Sequence, residues 1–120
     1  MSRCQKTIAA LSVMLAFFAA DAAAGDRKSA RSQVDFGIKV AQQGLWREAV
    51  YRWERAIEID PTYAAAYNNL AIAYEAQGSF DKAKAAYEKA VELDPKNSFI
   101  RQNYDLFKEI NDRASRSDSR

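Results

Sequence analysis

Apolar side chains in the middle of the chain recur at spacings of three and four. Tyr67, Leu70, Ala71 and Tyr74 fall on one helical face, so the spacing predicts a helix over 64–77. Gln77-Gly78 closes it, because glycine adopts the left-handed terminal conformation at little cost. Ser79 is placed to cap the next helix through its hydroxyl. Ala83, Tyr87, Ala90, Val91 and Leu93 then predict a second helix over 80–93. Asp94-Pro95 ends it, since proline turns the preceding residue away from helix. Upstream the same plan gives helices near 31–43 and 46–59, with Gly44 and Pro61 as punctuation. Downstream, Ile100, Tyr104 and Phe107 give one more single-faced helix over 98–112. The run Ala114 to Arg120 is polar and without period, so 113–120 is expected to be a disordered tail.

The two helix pairs are copies of each other. Residues 30–63 laid on 64–97 without a gap give identities at Ala30/Ala64, Ile38/Ile72, Gln43/Gln77, Gly44/Gly78, Ala49/Ala83, Glu54/Glu88, Ala56/Ala90, Glu58/Glu92, Asp60/Asp94 and Pro61/Pro95. Phe36/Leu70, Trp46/Phe80, Trp53/Tyr87, Ile57/Val91 and Ile59/Leu93 keep their character. The identities concentrate on the glycine, proline and alanine positions that a helical hairpin needs.

Residues 1–24 follow different rules. Arg3 and Lys6 precede an uncharged apolar run from Thr7 to Ala20, followed by small residues Ala22-Ala23-Ala24. This is the three-part pattern of a secretory leader, with cleavage expected after Ala22 or Ala24. The expected destination is outside the cytoplasm, in the periplasm or secreted. The alternative is a chain anchored in a membrane by uncleaved residues 7–20, although that run is shorter than the roughly 20 residues a span needs. Cys4 precedes the apolar run, which does not suit lipid attachment at the cleavage point. The expected organisation is therefore a leader at 1–24, a short linker at 25–29, repeat one at 30–63, repeat two at 64–97, a capping helix at 98–112 and the tail at 113–120.

Composition narrows the chemistry. The 120 residues contain no His and one Cys, which lies in the leader, so a disulfide framework and the common His- and Cys-based metal sites are excluded. The commonest general base is missing too. The carboxylates of the second helices alternate with Arg and Lys, as in Glu48/Arg52 and Asp81/Lys84, which marks a solvated face. No catalytic residues, no metal and no cofactor are expected, and the chain is not expected to be an enzyme. The net charge of +2 argues against a nucleic-acid surface, and the isolated glycines form no phosphate loop. No small-molecule substrate is implied. Arg27, Lys28 and Arg31 read as a solvated terminus.

The spacing of Tyr67, Leu70, Ala71, Tyr74, Gly78, Ala83, Tyr87, Ala90 and Pro95 resembles the 34-residue tetratricopeptide repeat. Phe36, Gly37, Gly44, Ala49, Trp53, Ala56 and Pro61 match the same pattern, while Gln33 and Val40 depart from it where aromatics are usual. The resemblance implies an all-α fold of helix-turn-helix repeats with two units and a capping helix. It places Trp46, Trp53, Tyr67, Tyr74, Phe80 and Tyr87 in packing slots between helices. It also implies a concave groove lined by the first helices and taking a protein or peptide partner. Three columns of residues 34 apart would line that groove: Asp35, Asn69 and Asn103; Ile38, Ile72 and Leu106; Val34, Asn68 and Gln102. The resembled proteins that grip acidic chaperone tails carry a Lys and Asn clamp, of which only Asn69 is present here. A scaffold or adaptor role is the expectation. The alternative is a structural subunit that self-associates into a homo-oligomer through the open flank of repeat one.

Overall fold

The computed structural model describes residues 25–119, so the leader expected at 1–24 lies outside the described residues. The described chain holds five helices: α1 over 25–42, α2 Trp46–Ile59, α3 Ala64–Ala76, α4 Phe80–Leu93 and α5 Ser98–Asp118. This is the all-α helical-repeat fold that the sequence pattern implied. None of these helices is long and apolar enough to cross a membrane.

The repeat in sequence becomes a repeat in backbone geometry. At the end of α1 the amide of Gly44 bonds the Ala41 carbonyl at 2.9 Å and the amide of Leu45 bonds the Val40 carbonyl at 2.9 Å. At the end of α3 the same two bonds run from Gly78 to Glu75 at 3.0 Å and from Ser79 to Tyr74 at 2.8 Å. This pairing needs a left-handed residue at the turn, and Gly44 and Gly78 supply it with φ of 82° and 75°. The second helices also end alike, with amides of Asp60 and Asp94 bonding the carbonyls of Ala56 and Ala90.

Small residues let the helices approach. Ala49, Ala56, Ala83 and Ala90 are fully buried, each at a point where a second helix meets a first. One cluster joins Val34, Trp53, Ala66, Leu70 and Ala73 across repeat one and the start of repeat two. A second joins Ala71, Ala83, Tyr87 and Phe107, and a third joins Ala64, Ala90 and Ile100. Through Ile100 and Phe107, α5 covers the side of repeat two that would otherwise face water.

Several expectations are corrected. Residues 25–29, read as a linker, are helical and begin α1. Residues 113–118, read as tail, continue α5. They hold no Gly or Pro, Arg113 pairs with Glu109 one turn back, and the Ser115 and Ser117 hydroxyls donate to the carbonyls of Asn111 and Ala114. The Ser79 hydroxyl makes no capping bond. Its amide is already committed to closing α3, and its φ of −85° and ψ of 66° hold it outside the extended conformation of a cap. A side-chain cap is found at α5, where Asn97 accepts from the Ile100 amide at 3.2 Å. Trp46 and Phe80 are 41% and 49% exposed rather than packed between helices. Each is the first residue of a second helix and stands at the edge of its pair. Glu48 and Arg52 pair at 2.8 Å as the spacing implied, whereas Lys84 approaches Glu88 at 4.0 Å rather than Asp81.

Candidate functional site

The first helices α1, α3 and α5 present the columns to the surface unequally. The column Ile38, Ile72 and Leu106 stays accessible, and Leu106 is 56% exposed. Ile38 and Ile72 meet in one cleft of about 250 Å³ with Ala41, Gln42, Trp46 and Asn69, and the edge of Trp53 forms part of its wall. The cleft thus brings together three residues singled out from sequence, Ile38, Asn69 and Ile72. Asp35 is exposed on α1 outside it, and Asn103 is half-buried on α5.

The column Val34, Asn68 and Gln102 is not a binding face. Val34 and Asn68 are each 3% exposed, and only Gln102 reaches water. The reason is the side-by-side packing of first helices, which puts this column in their seams. Val34 enters the core beside Leu70 and Ala73 of α3, and its carbonyl accepts the Trp53 indole N–H at 3.3 Å. Asn68 faces α5, where its side-chain oxygen accepts from the Asn103 amide at 3.1 Å. That bond satisfies a polar group that burial would otherwise penalise. It also ties Asn103 to the seam, so the Asn103 amide nitrogen is engaged inside the protein.

Residues beyond the expected columns complete the surface. Trp46, Ala41 and Gln42 line the cleft. Along α5, Phe99 and Ile110 are exposed on the same stripe as Leu106. Sequence held a signal for two of them. Phe99, Leu106 and Ile110 are apolar at spacings of seven and four, which places them on one face of a helix. Trp46 carried no such signal, because its slot reads as packing. Arg27, read as part of a solvated terminus, is half exposed but held by specific contacts. Its guanidinium pairs with Asp60, donates to the Thr62 hydroxyl at 2.9 Å and stacks over Tyr63 at 5.0 Å.

The electrostatics of this face are mild. The side chains lining the cleft are all uncharged, so an occupant meets apolar surface and the amides of Gln42 and Asn69. An arrangement of this kind recognises an apolar side chain together with a backbone segment, since an amide offers donor and acceptor together. Among the described residues no group of three metal-ligating side chains comes together. The titrating groups that are shifted lie elsewhere. Burial raises the Tyr87 hydroxyl well above its ordinary value, reinforced by its bond to Glu75 at 2.9 Å. Burial would raise the Asp60 carboxyl, but the bonds from Thr62 and Arg27 overcome that and hold it below its ordinary value.

Comparison with known families agrees with this geometry. The family model described as Tetratricopeptide repeat matches residues 64–97, and a second, described as TPR repeat, matches residues 40–78. No curated protein matches the chain as a relative. The first match spans α3, α4 and the turn that follows, and the second joins the end of α1 to α3. Such repeats generally serve as protein-binding scaffolds. Together with the two equivalent helix hairpins and the matching glycine closures, the matches give the described residues an all-α helical-repeat fold similar to the tetratricopeptide repeat.

Proposed function

We propose that the chain is an exported, noncatalytic scaffold or adaptor that binds a protein or peptide segment on the face shared by α1, α3 and α5. The observation that carries the reading is the accessible apolar column Ile38, Ile72 and Leu106, with Asn69 beside it in the cleft. Ile38 and Leu106 are exposed and Ile72 is half-buried against the second cluster, whereas Val34 is buried. Export rests on the leader pattern of residues 1–24. N-terminal sequencing of protein from the native host tests it, with a mature terminus at Ala23 or Gly25 expected and an intact Met1 in the membrane fraction counting against it.

The binding test is a pair of variants with a control. Ile72→Glu should abolish capture of the partner, because a carboxylate in an apolar contact is desolvated without a counter-charge. Asn69→Ala should weaken capture by about three- to tenfold through loss of a backbone-directed hydrogen bond. Glu92→Ala, on the exposed side of α4, should change nothing. Circular dichroism on each variant separates lost binding from lost fold. If Glu92→Ala impairs capture and the two others do not, the reading is wrong.

A second reading has its own observation. Phe36 and Tyr51 are exposed on the open flank of repeat one, with the Arg52 guanidinium between them at 4.5 and 5.6 Å from their ring centres. This flank suits self-association. Sedimentation over a concentration range decides it, and a monomer throughout would remove the structural role.

A further inference from the structure

A larger groove opens on the opposite side, where the second helices lie. Leu70, Tyr67 and Tyr74 of α3 form its floor, Ile57 of α2 and Ala85 of α4 its walls, and its volume is about 430 Å³. Its size is in the range that accepts one large side chain or a small ligand. Its rim differs in kind from the uncharged cleft of the other face. Lys82 and Lys89 stand on the α4 side and Glu54 on the α2 side. Lys89 shares its charge with Glu92 at 3.5 Å. Among the described residues Lys82 makes no ion pair, and its ammonium lies 5.9 Å from the Tyr74 ring centre. The groove therefore joins an apolar floor to an excess of positive charge on one wall.

We infer that this groove is a second docking site, distinct from the first-helix face, for a peptide segment that carries an apolar anchor side chain flanked by carboxylates. The anchor lies over Leu70 and Tyr74 between Ile57 and Ala85. A neighbouring carboxylate meets the Lys82 ammonium, which among the described residues has no ion-pair partner to give up. Charge complementarity of this kind governs selection more than raw affinity, and salt weakens it. A basic segment of the same shape would face Lys82 and Lys89 and is disfavoured. The site leaves the α1, α3 and α5 face free, so one molecule can hold two segments at once.

The experiment is a titration of the isotopically labelled full chain with two blocked peptides, one with Phe between two Glu and one with Phe between two Lys. Amide shifts are followed at low salt and at 0.5 M NaCl. The acidic peptide should move the amides of Ile57, Tyr74 and Ala85, bind at least about threefold tighter than its basic twin, and lose that preference at high salt. Lys82→Glu combined with Lys89→Glu should reverse the order of the two peptides. Ala85→Trp should block both by filling the groove, and Ala85→Glu repeats the test by repelling the acidic peptide if the tryptophan variant fails to fold. Equal affinity for the twins, unchanged order in the double variant, or shifts confined to Ile38, Asn69 and Ile72 would each overturn the proposal. Because Ile57 and Ala85 lie on α2 and α4 while Ile38 lies on α1, loss of this site and loss of the first-helix site are told apart in the same spectra.

Discussion

Repeat one and repeat two use one backbone plan with two different packings. In repeat two, Ala71 on α3 faces Tyr87 on α4, and the tyrosine hydroxyl bonds Glu75 at 2.9 Å. In repeat one the equivalent residues are Gly37 and Trp53. The indole is larger than the phenol, and the opposite residue has lost its Cβ to make room. A Cβ built at Gly37 would sit within 3.0 Å of three atoms of the Trp53 ring. The indole N–H then bonds the Val34 carbonyl at 3.3 Å, where the tyrosine used a carboxylate. Volume is conserved across the pair even though neither residue is, which is how close-packed interiors tolerate change.

The largest expected effect follows from that exchange. Trp53→Ala removes the centre of the first cluster and leaves a cavity beside Gly37, and should lower unfolding free energy by about 3–5 kcal/mol in a denaturant titration. An effect below about 1 kcal/mol would mean that repeat one contributes little to the cooperative fold. Gly37→Ala should cost about 1–3 kcal/mol by overpacking. Combining it with Trp53→Tyr recreates the pair found in repeat two, and the double variant should be more stable than Gly37→Ala alone. If the two changes simply add, the packing complementarity of the two repeats is not what sets their residues.

The buried alanines test the part the repeats share. Ala83→Leu or Ala90→Leu should each lower the melting temperature, with an expected loss of about 1–3 kcal/mol, since both are fully buried between helices. Unchanged melting of both would show that the 34-residue register is wrong.

The register and the core alanines were legible in sequence because they depend on local turn chemistry and on a period. Gly44 and Gly78, Pro61 and Pro95, and the four alanines all sit where the period put them. The groove was only partly legible. A period says which residues share a column, but not whether that column lies on an open face or in the seam between two helices. Val34 and Asn68 show the consequence: they align as well as Ile38 and Ile72 do, yet packing of α1 on α3 and of α3 on α5 buries them. The bond between Asn103 and Asn68 spans 35 residues and has no local signal at all. Arg27 was unreadable for the same reason, since its partners lie 33 and 35 residues away.

That arginine makes the second difference between the repeats and the smallest effect expected. Asp60 closes repeat one, and its carboxylate accepts from the Thr62 amide at 3.0 Å, from the Thr62 hydroxyl at 2.6 Å and from Arg27. Asp94 closes repeat two, and its carboxylate accepts from the Asn97 side chain at 3.0 Å. Arg27 is half exposed, so its ion pair contributes at most about 1 kcal/mol. At neutral pH Asp60→Ala should therefore destabilise more than Asp94→Ala, and Arg27→Ala should reproduce part of the difference. Acid gives an independent measure. Burial opposes ionisation of Asp60, but the bonds from Thr62 and Arg27 outweigh it and lower its pKa from the ordinary value of 3.8. A carboxyl with a lowered pKa in the folded state stabilises the fold fully above its unfolded value, and that contribution disappears as pH falls through the lowered one. Stability measured by urea titration should decline below about pH 4, and Asp60→Asn should make that decline shallower. Raising the salt concentration should shrink the Arg27 contribution while leaving the short bonds from Thr62 in place. An acid limb that is the same in the Asp60→Asn variant would show that the carboxylate at the end of repeat one adds no pH-dependent stability.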